Sequence, residues 1–121
     1  MTIKKVLVAD DTSADLEKIR NIISTAGYQV TTAASGAIAV SKALAENPDI
    51  IFLDIVMDDL DGYGACREIL ANKETSNTPI YFVSTKNTRV DQMWAKRQGA
   101  IGLISKPISD SDILDKIKEH S

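Results

Sequence analysis

The chain has 121 residues, the length of one domain, with 44% hydrophobic and 26% charged residues, the balance of a globular chain that buries roughly two-thirds of its unfolded surface. Its 17 acidic against 14 basic residues give a net charge of −3, which argues against the basic footprint of a nucleic-acid binder. No apolar run approaches bilayer-spanning length, and the lone Cys66 can form neither an internal disulfide nor a cysteine zinc cluster.

Taken in chain order, apolar runs alternate with stretches of helical periodicity. The first run, residues 6–9, reads as a strand that stops at Asp10-Asp11, too short for the apolar region of a secretory leader. Leu16, Ile19, Ile23 and Ala26 then share one helix face, ended by Gly27. A second strand over 28–32 precedes a helix carrying Ile38, Val40, Ala43 and Leu44, closed by Asn47-Pro48. A third strand over 50–53 leads to a helix with Ala65, Ile69 and Leu70. The fourth strand is 80–83, followed by a helix over 90–98 that Gly99 closes. The fifth strand is 100–104, and the last helix, over 113–117, takes Ser109 or Asp110 as its N-cap.

Five strands alternating with five helices make a (βα)₅ chain. Strands that are apolar almost throughout are buried on both faces, which predicts an α/β, doubly wound, five-stranded parallel sheet. Right-handed crossovers leave few topologies, and the flavodoxin-like order 2-1-3-4-5 is the expectation. The Rossmann alternative lacks its Gly-rich turn, since Asp10-Asp11-Thr12-Ser13 follows the first strand.

In such a sheet, ligands bind beyond the carboxyl ends of the strands, at the switch in strand order. The first strand ends in Asp10 and Asp11, the third in Asp54, the fourth in Ser84 and Thr85, and the fifth in Ser105 and Lys106. The topology therefore gathers three carboxylates at one edge, with a hydroxyl and an ammonium facing them. Like charges at close range repel, and a hard dication such as Mg²⁺, which takes oxygen ligands, relieves that repulsion. A dication beside a carboxylate and a lysine is equipped for phosphoryl transfer to the carboxylate. Each residue alone has a plainer reading: an Asp can cap a helix, Ser84 can tie down its loop, and Lys106 can be a surface lysine. The joint pattern favours a site.

The whole chain resembles the receiver domains of two-component response regulators. The residues that carry the resemblance are Asp10-Asp11, Asp54-Ile-Val-Met57, Gly62, Ser84, Gly99-Ala100 and Lys106-Pro107, with spacings of 43, 30 and 22 between Asp11, Asp54, Ser84 and Lys106. The segment 94–100 is similar to the stand-alone receivers of the chemotaxis-like system that controls type IV pili and twitching motility. The resemblance implies that Asp54 is the phospho-acceptor and that Asp10, Asp11, Asp54 and the backbone carbonyl of Val56 hold Mg²⁺. It also implies that Lys106 contacts the phosphoryl oxygens and Ser84 swings toward them, with Lys106-Pro107 a cis peptide. A histidine kinase would be the donor. A downstream protein would bind the altered surface around the fourth helix, fifth strand and fifth helix. The expected organisation is a monomeric, cytoplasmic receiver over 1–121 with no output domain and no nucleic-acid or membrane partner. It would take part only in its own phosphorylation and dephosphorylation.

Three positions depart from the pattern. Asp58 stands where proline is usual, Leu103 where an aromatic residue commonly switches rotamer, and Val56 offers no polar side chain to a hydrolytic water. The alternatives are a Mg²⁺-dependent phosphatase or phosphotransferase of another class, and a phosphate-sink receiver without its own target. A phosphatase of the haloacid dehalogenase type wants a second Asp where Val56 stands. Asp59, Asp61, Gly62 and Glu68 have calcium-loop spacing, but Met57 occupies its first ligand position. Trp94 reads as packing, four residues from Val90, in preference to a partner anchor, and His120 reads as a tail residue.

Overall fold

In the computed structural model, which describes residues 2–121, burial alone distinguishes central strands from edge strands. The elements in order are β1 (Lys5–Ala9), α1 (Ser13–Thr25), β2 (Gln29–Ala33), α2 (Gly36–Glu46), β3 (Ile50–Asp54), α3 (Gly62–Ala71), a 3₁₀ turn (Lys73–Thr75), β4 (Ile80–Ser84), α4 (Arg89–Arg97), β5 (Gly102–Ser105) and α5 (Asp110–Glu119). β3 and β4 are buried at every residue, whereas β2 and β5 are only partly covered. The strands pair in parallel in the order β2-β1-β3-β4-β5, as the sequence predicts.

The period-2 alternation of the strands divides the core in two. Leu7, Ile51, Leu53 and Phe82 face Ala39, Ala43, Ala65, Cys66, Ile69 and Ala95 of α2, α3 and α4. Val6, Val8, Phe52 and Val83 face Ile19, Ile23, Ile113 and Ile117 of α1 and α5. Three helices thus cover one face and two the other. This leaves the carboxyl ends of β1, β3, β4 and β5 side by side at one rim.

Four local expectations need correction. The inward face of α2 is Gly36, Ala39 and Ala43, while Ile38 and Leu44 lie outside. β5 starts at Gly102, because Gly99 (φ +102) turns the chain out of α4 and the N–H of Ala100 still bonds the carbonyl of Ala95. On α4 the buried residue is Ala95, whereas Val90 is 73% and Trp94 45% exposed. Trp94 lies edge-on to Tyr63, with ring centroids 6.4 Å apart, and is not a core residue. His120 is no free tail: its Nε2 lies 2.8 Å from the Tyr81 hydroxyl and ties the end of α5 to β4.

Candidate functional site

Asp10 follows the last residue of β1, and its backbone N–H bonds the carbonyl of Ala33. Its side chain is buried yet fully engaged. Oδ1 accepts the N–H of Thr12 at 2.9 Å and Oδ2 accepts Lys106 Nζ at 2.8 Å. Asp11 is exposed and points to the same place from the rim. Asp54 is the last residue of β3 and is also buried. One carboxylate oxygen from each of Asp10, Asp11 and Asp54 lies within 4.8 Å of the other two. The predicted convergence of three acids is therefore real.

The loop after Asp54 is held by Gly62, whose N–H bonds the carbonyl of Ile55 at 2.8 Å. A Cβ at position 62 would overlap the carbonyl oxygen of Asp54, so only glycine permits this approach. The calcium-like spacing of Asp59 and Asp61 has another purpose. Asp59 accepts the N–H groups of Gly36 and Ala37 at the start of α2, and Asp61 caps α3 through the N–H of Gly64 at 2.8 Å. Val56 is 56% exposed at the mouth of the site.

Lys106 follows β5, and its backbone N–H bonds the carbonyl of Ser84 at 3.0 Å, which locks the ends of β4 and β5 together. Lys106–Pro107 is cis. The ammonium lies 2.8 Å from Asp10, 3.0 Å from Asp15 and 3.8 Å from Asp54. Asp15 was missed in the sequence, where it reads as a first-turn acid of α1. Ser84 is buried, and its Oγ accepts the N–H of Lys86 at 3.1 Å, so in this state the hydroxyl ties down its own loop. That is the plainer reading of Ser84, and it describes this conformation.

Electrostatics set the site apart from an ordinary cluster of acids. Burial, then the neighbouring Asp10 charge, push the Asp54 carboxyl up to about 6, against the opposing pull of Lys106 and the N–H of Ile55. Burial pulls the Lys106 ammonium down, but its hydrogen bonds to Asp10 and Asp15 and the charges of Asp10 and Asp54 prevail and hold it above the ordinary lysine value. Among the described residues no buried side-chain polar atom lacks a partner. The excess negative charge is thus the one unrelieved feature of the rim, and an all-oxygen cluster of this kind suits a hard dication.

Fold and rim together define a class: a doubly wound α/β protein with an acidic, lysine-bearing crevice at its strand-order switch. The chain belongs to the response regulator receiver domain family, whose sequence model matches residues 6–118. It is 35% identical to Protein PilH of Pseudomonas aeruginosa, over 93% of each chain. It is 34% identical to Protein PilG of the same organism, over 96% of this chain and 86% of that one. Among solved structures it is similar to the chemotaxis protein CheY4 of Vibrio cholerae, with a TM-score of 0.92, 27% identity and coverage of 99% and 100%. It is also similar to a CheX-CheY-BeF3-Mg complex from Borrelia burgdorferi, with a TM-score of 0.89, 26% identity and coverage of 96% and 87%. A receiver undergoes its own phosphorylation and dephosphorylation and turns over no separate substrate, and the family implies a histidine-kinase donor and a downstream target. No helix among the described residues is long and apolar enough to cross a membrane.

Proposed function

We propose that this receiver takes a phosphoryl group on Asp54 from a histidine kinase of a chemotaxis-like system governing type IV pili and twitching motility. The observation that carries the reading is the cluster of Asp10, Asp11 and Asp54 oxygens within 4.8 Å, with the Lys106 ammonium beside it. The pathway rests on the likeness to PilH and PilG.

Asp10, Asp11, the Asp54 carboxylate and the backbone carbonyl of Val56 would hold Mg²⁺, whose charge would relieve their repulsion and offset charge building on the phosphoryl oxygens. Asp54 acts as nucleophile. One carboxylate oxygen forms the bond to phosphorus while the P–N bond of the donor phosphohistidine breaks and its electron pair returns to the imidazole. Attack needs the ionised carboxylate; the Asp54 carboxyl stands at about 6 in the metal-free site, and the charge of a bound cation would favour its ionised form. Lys106 neutralises a phosphoryl oxygen after shifting the short distance that separates it from Asp54. Ser84 releases the N–H of Lys86 and donates its hydroxyl proton to the phosphoryl group, drawing the loop after β4 with it. That Borrelia relative, solved with BeF3 and Mg, shares the fold in which these roles are placed.

The test is phosphotransfer from a panel of histidine kinases to wild type and Asp54→Asn. Labelling is expected in the wild type and absent in the variant. Undiminished labelling of Asp54→Asn overturns the acceptor assignment, and a preference for kinases outside pilus systems overturns the pathway.

A further inference from the structure

The pattern Ser/Thr-x-x-Asp opens three helices of this chain: Thr12 to Asp15 at α1, Thr88 to Asp91 at α4 and Ser109 to Asp112 at α5. At α4 the Asp91 carboxylate accepts the N–H of Thr88 at 3.0 Å, and at α5 Asp112 accepts that of Ser109 at 2.8 Å. Returning to the N-cap is the usual use of an acid at this position. At α1 the arrangement is diverted. The Thr12 N–H is already taken by Asp10 at 2.9 Å, and Asp15 turns instead to accept Lys106 Nζ at 3.0 Å. The ammonium therefore has two hydrogen-bonding carboxylates, while Asp54 at 3.8 Å lies beyond that range.

We infer that Asp15 is a positioning residue that anchors Lys106 in the unphosphorylated protein and competes with an incoming phosphoryl group for its ammonium. The inference rests on the roles given to Asp54 and Lys106 above. Of the two anchors, Asp10 belongs to the acidic cluster and Asp15 does not. A cation taken up by the cluster therefore engages Asp10 and leaves Asp15 free to hold Lys106. Its side chain is 43% exposed, so solvent screens the pair and limits the effect to a modest factor.

Two measurements compare wild type, Asp15→Ala and Asp15→Glu. In the metal-free protein, the rate at which an amine-acylating reagent modifies Lys106 is read by mass spectrometry against exposed Lys118. With Mg²⁺ present, the affinity for beryllofluoride is read by calorimetry. Asp15→Ala should speed acylation of Lys106 and tighten beryllofluoride binding, each by roughly two- to fivefold, while Asp15→Glu stays near wild type. Unchanged acylation in Asp15→Ala overturns the anchor, even if beryllofluoride binds better through the lost charge alone. Faster acylation with unchanged or weaker beryllofluoride binding overturns the competition. A wild type that takes up no beryllofluoride overturns the receiver chemistry itself, and the acylation result still decides whether Asp15 holds Lys106.

Discussion

Asp54 carries the clearest consequence of residue-scale physics. Its carboxyl stands at about 6 in the fold against an ordinary 3.8. Below pH 4 it is protonated whether the chain is folded or not, and it contributes nothing. Between pH 4 and 6 the unfolded chain releases the proton first, so stability falls as pH rises, and above pH 6 the full penalty stands. Asp54→Asn should therefore stabilise the metal-free protein by about 2–3 kcal/mol at pH 7, a gain that fades toward pH 4. Urea unfolding of both proteins across that range checks it; a gain independent of pH would assign the effect to packing. Asp10 and Asp11 should separate in the same assay. Asp11 is exposed and relieves repulsion when neutralised, whereas Asp10 holds Lys106 and the Thr12 N–H. Asp11→Asn should stabilise the metal-free chain and Asp10→Asn should not, and both should lose the rise in melting temperature that Mg²⁺ gives the wild type. Equal shifts in the two variants would overturn that distinction. The acids, Ser84 and Lys106 were legible because each ends a strand, and strand ends in a parallel sheet share one rim. Asp15 was not, because its local signal is that of a helix cap and its partner lies 91 residues away.

Elements were legible where their apolar pattern had one solution. Three of the strands could be read because four-residue apolar runs bounded by polar residues admit little else, and right-handed crossovers left few orders besides the 2-1-3-4-5 that is found. α2 was misread because Gly36-Ala37-Ile38-Ala39-Val40 is apolar all round and no face stands out. The deciding factor is space: the backbone of Leu60 crosses Gly36 so closely that only small residues fit beneath it. α4 was misread for the opposite reason. Its apolar residues Val90, Met93 and Trp94 are exposed, and the helix is seated by Ala95. The loop between β3 and α3 shows how a site depends on such close approaches. Gly62 touches the Asp54 backbone, so Gly62→Ala must push the loop or the acceptor strand aside. A loss of about 1–3 kcal/mol is expected from overpacking, together with slower phosphorylation. If stability falls while the phosphorylation rate from a small-molecule donor holds, the glycine serves the fold without placing the acceptor.

At the scale of the molecule, the question is how charge at the rim reaches a partner surface. Phosphorylation brings ~1.5 to 2 negative charges and several acceptor oxygens to the site. Ser84 is already hydrogen-bonded within its loop, so the move proposed for it would exchange one partner for another and gain only the difference. Turning a 1:99 equilibrium into 99:1 needs about 5.5 kcal/mol, and the charge-assisted bonds proposed for Ser84 and Lys106 would supply roughly 1.5 to 3 kcal/mol each before such exchange. The loop after β4 leads directly into α4, whose exposed Val90, Met93 and Trp94 form an apolar surface. Leu103 of β5 packs from below, half-buried on the α4 side of the sheet, and its carbonyl lies 3.5 Å from Gln92 of that helix. An aromatic ring at 103 could fill the space that Ser84 vacates and hold α4 to one position. Leucine is smaller and lacks a polar tip, so the coupling should run through the loop, and α4 should sample both positions before phosphorylation. Trp94, set edge-on to Tyr63, is the natural reporter. Beryllofluoride should change its fluorescence in wild type and Leu103→Ala alike, with a smaller change in Ser84→Ala. Leu103→Ala should cost about 1–2 kcal/mol, below the usual range because the site is only half-buried. If Leu103→Ala folds normally yet abolishes the Trp94 response, Leu103 is itself the relay and the loop is not.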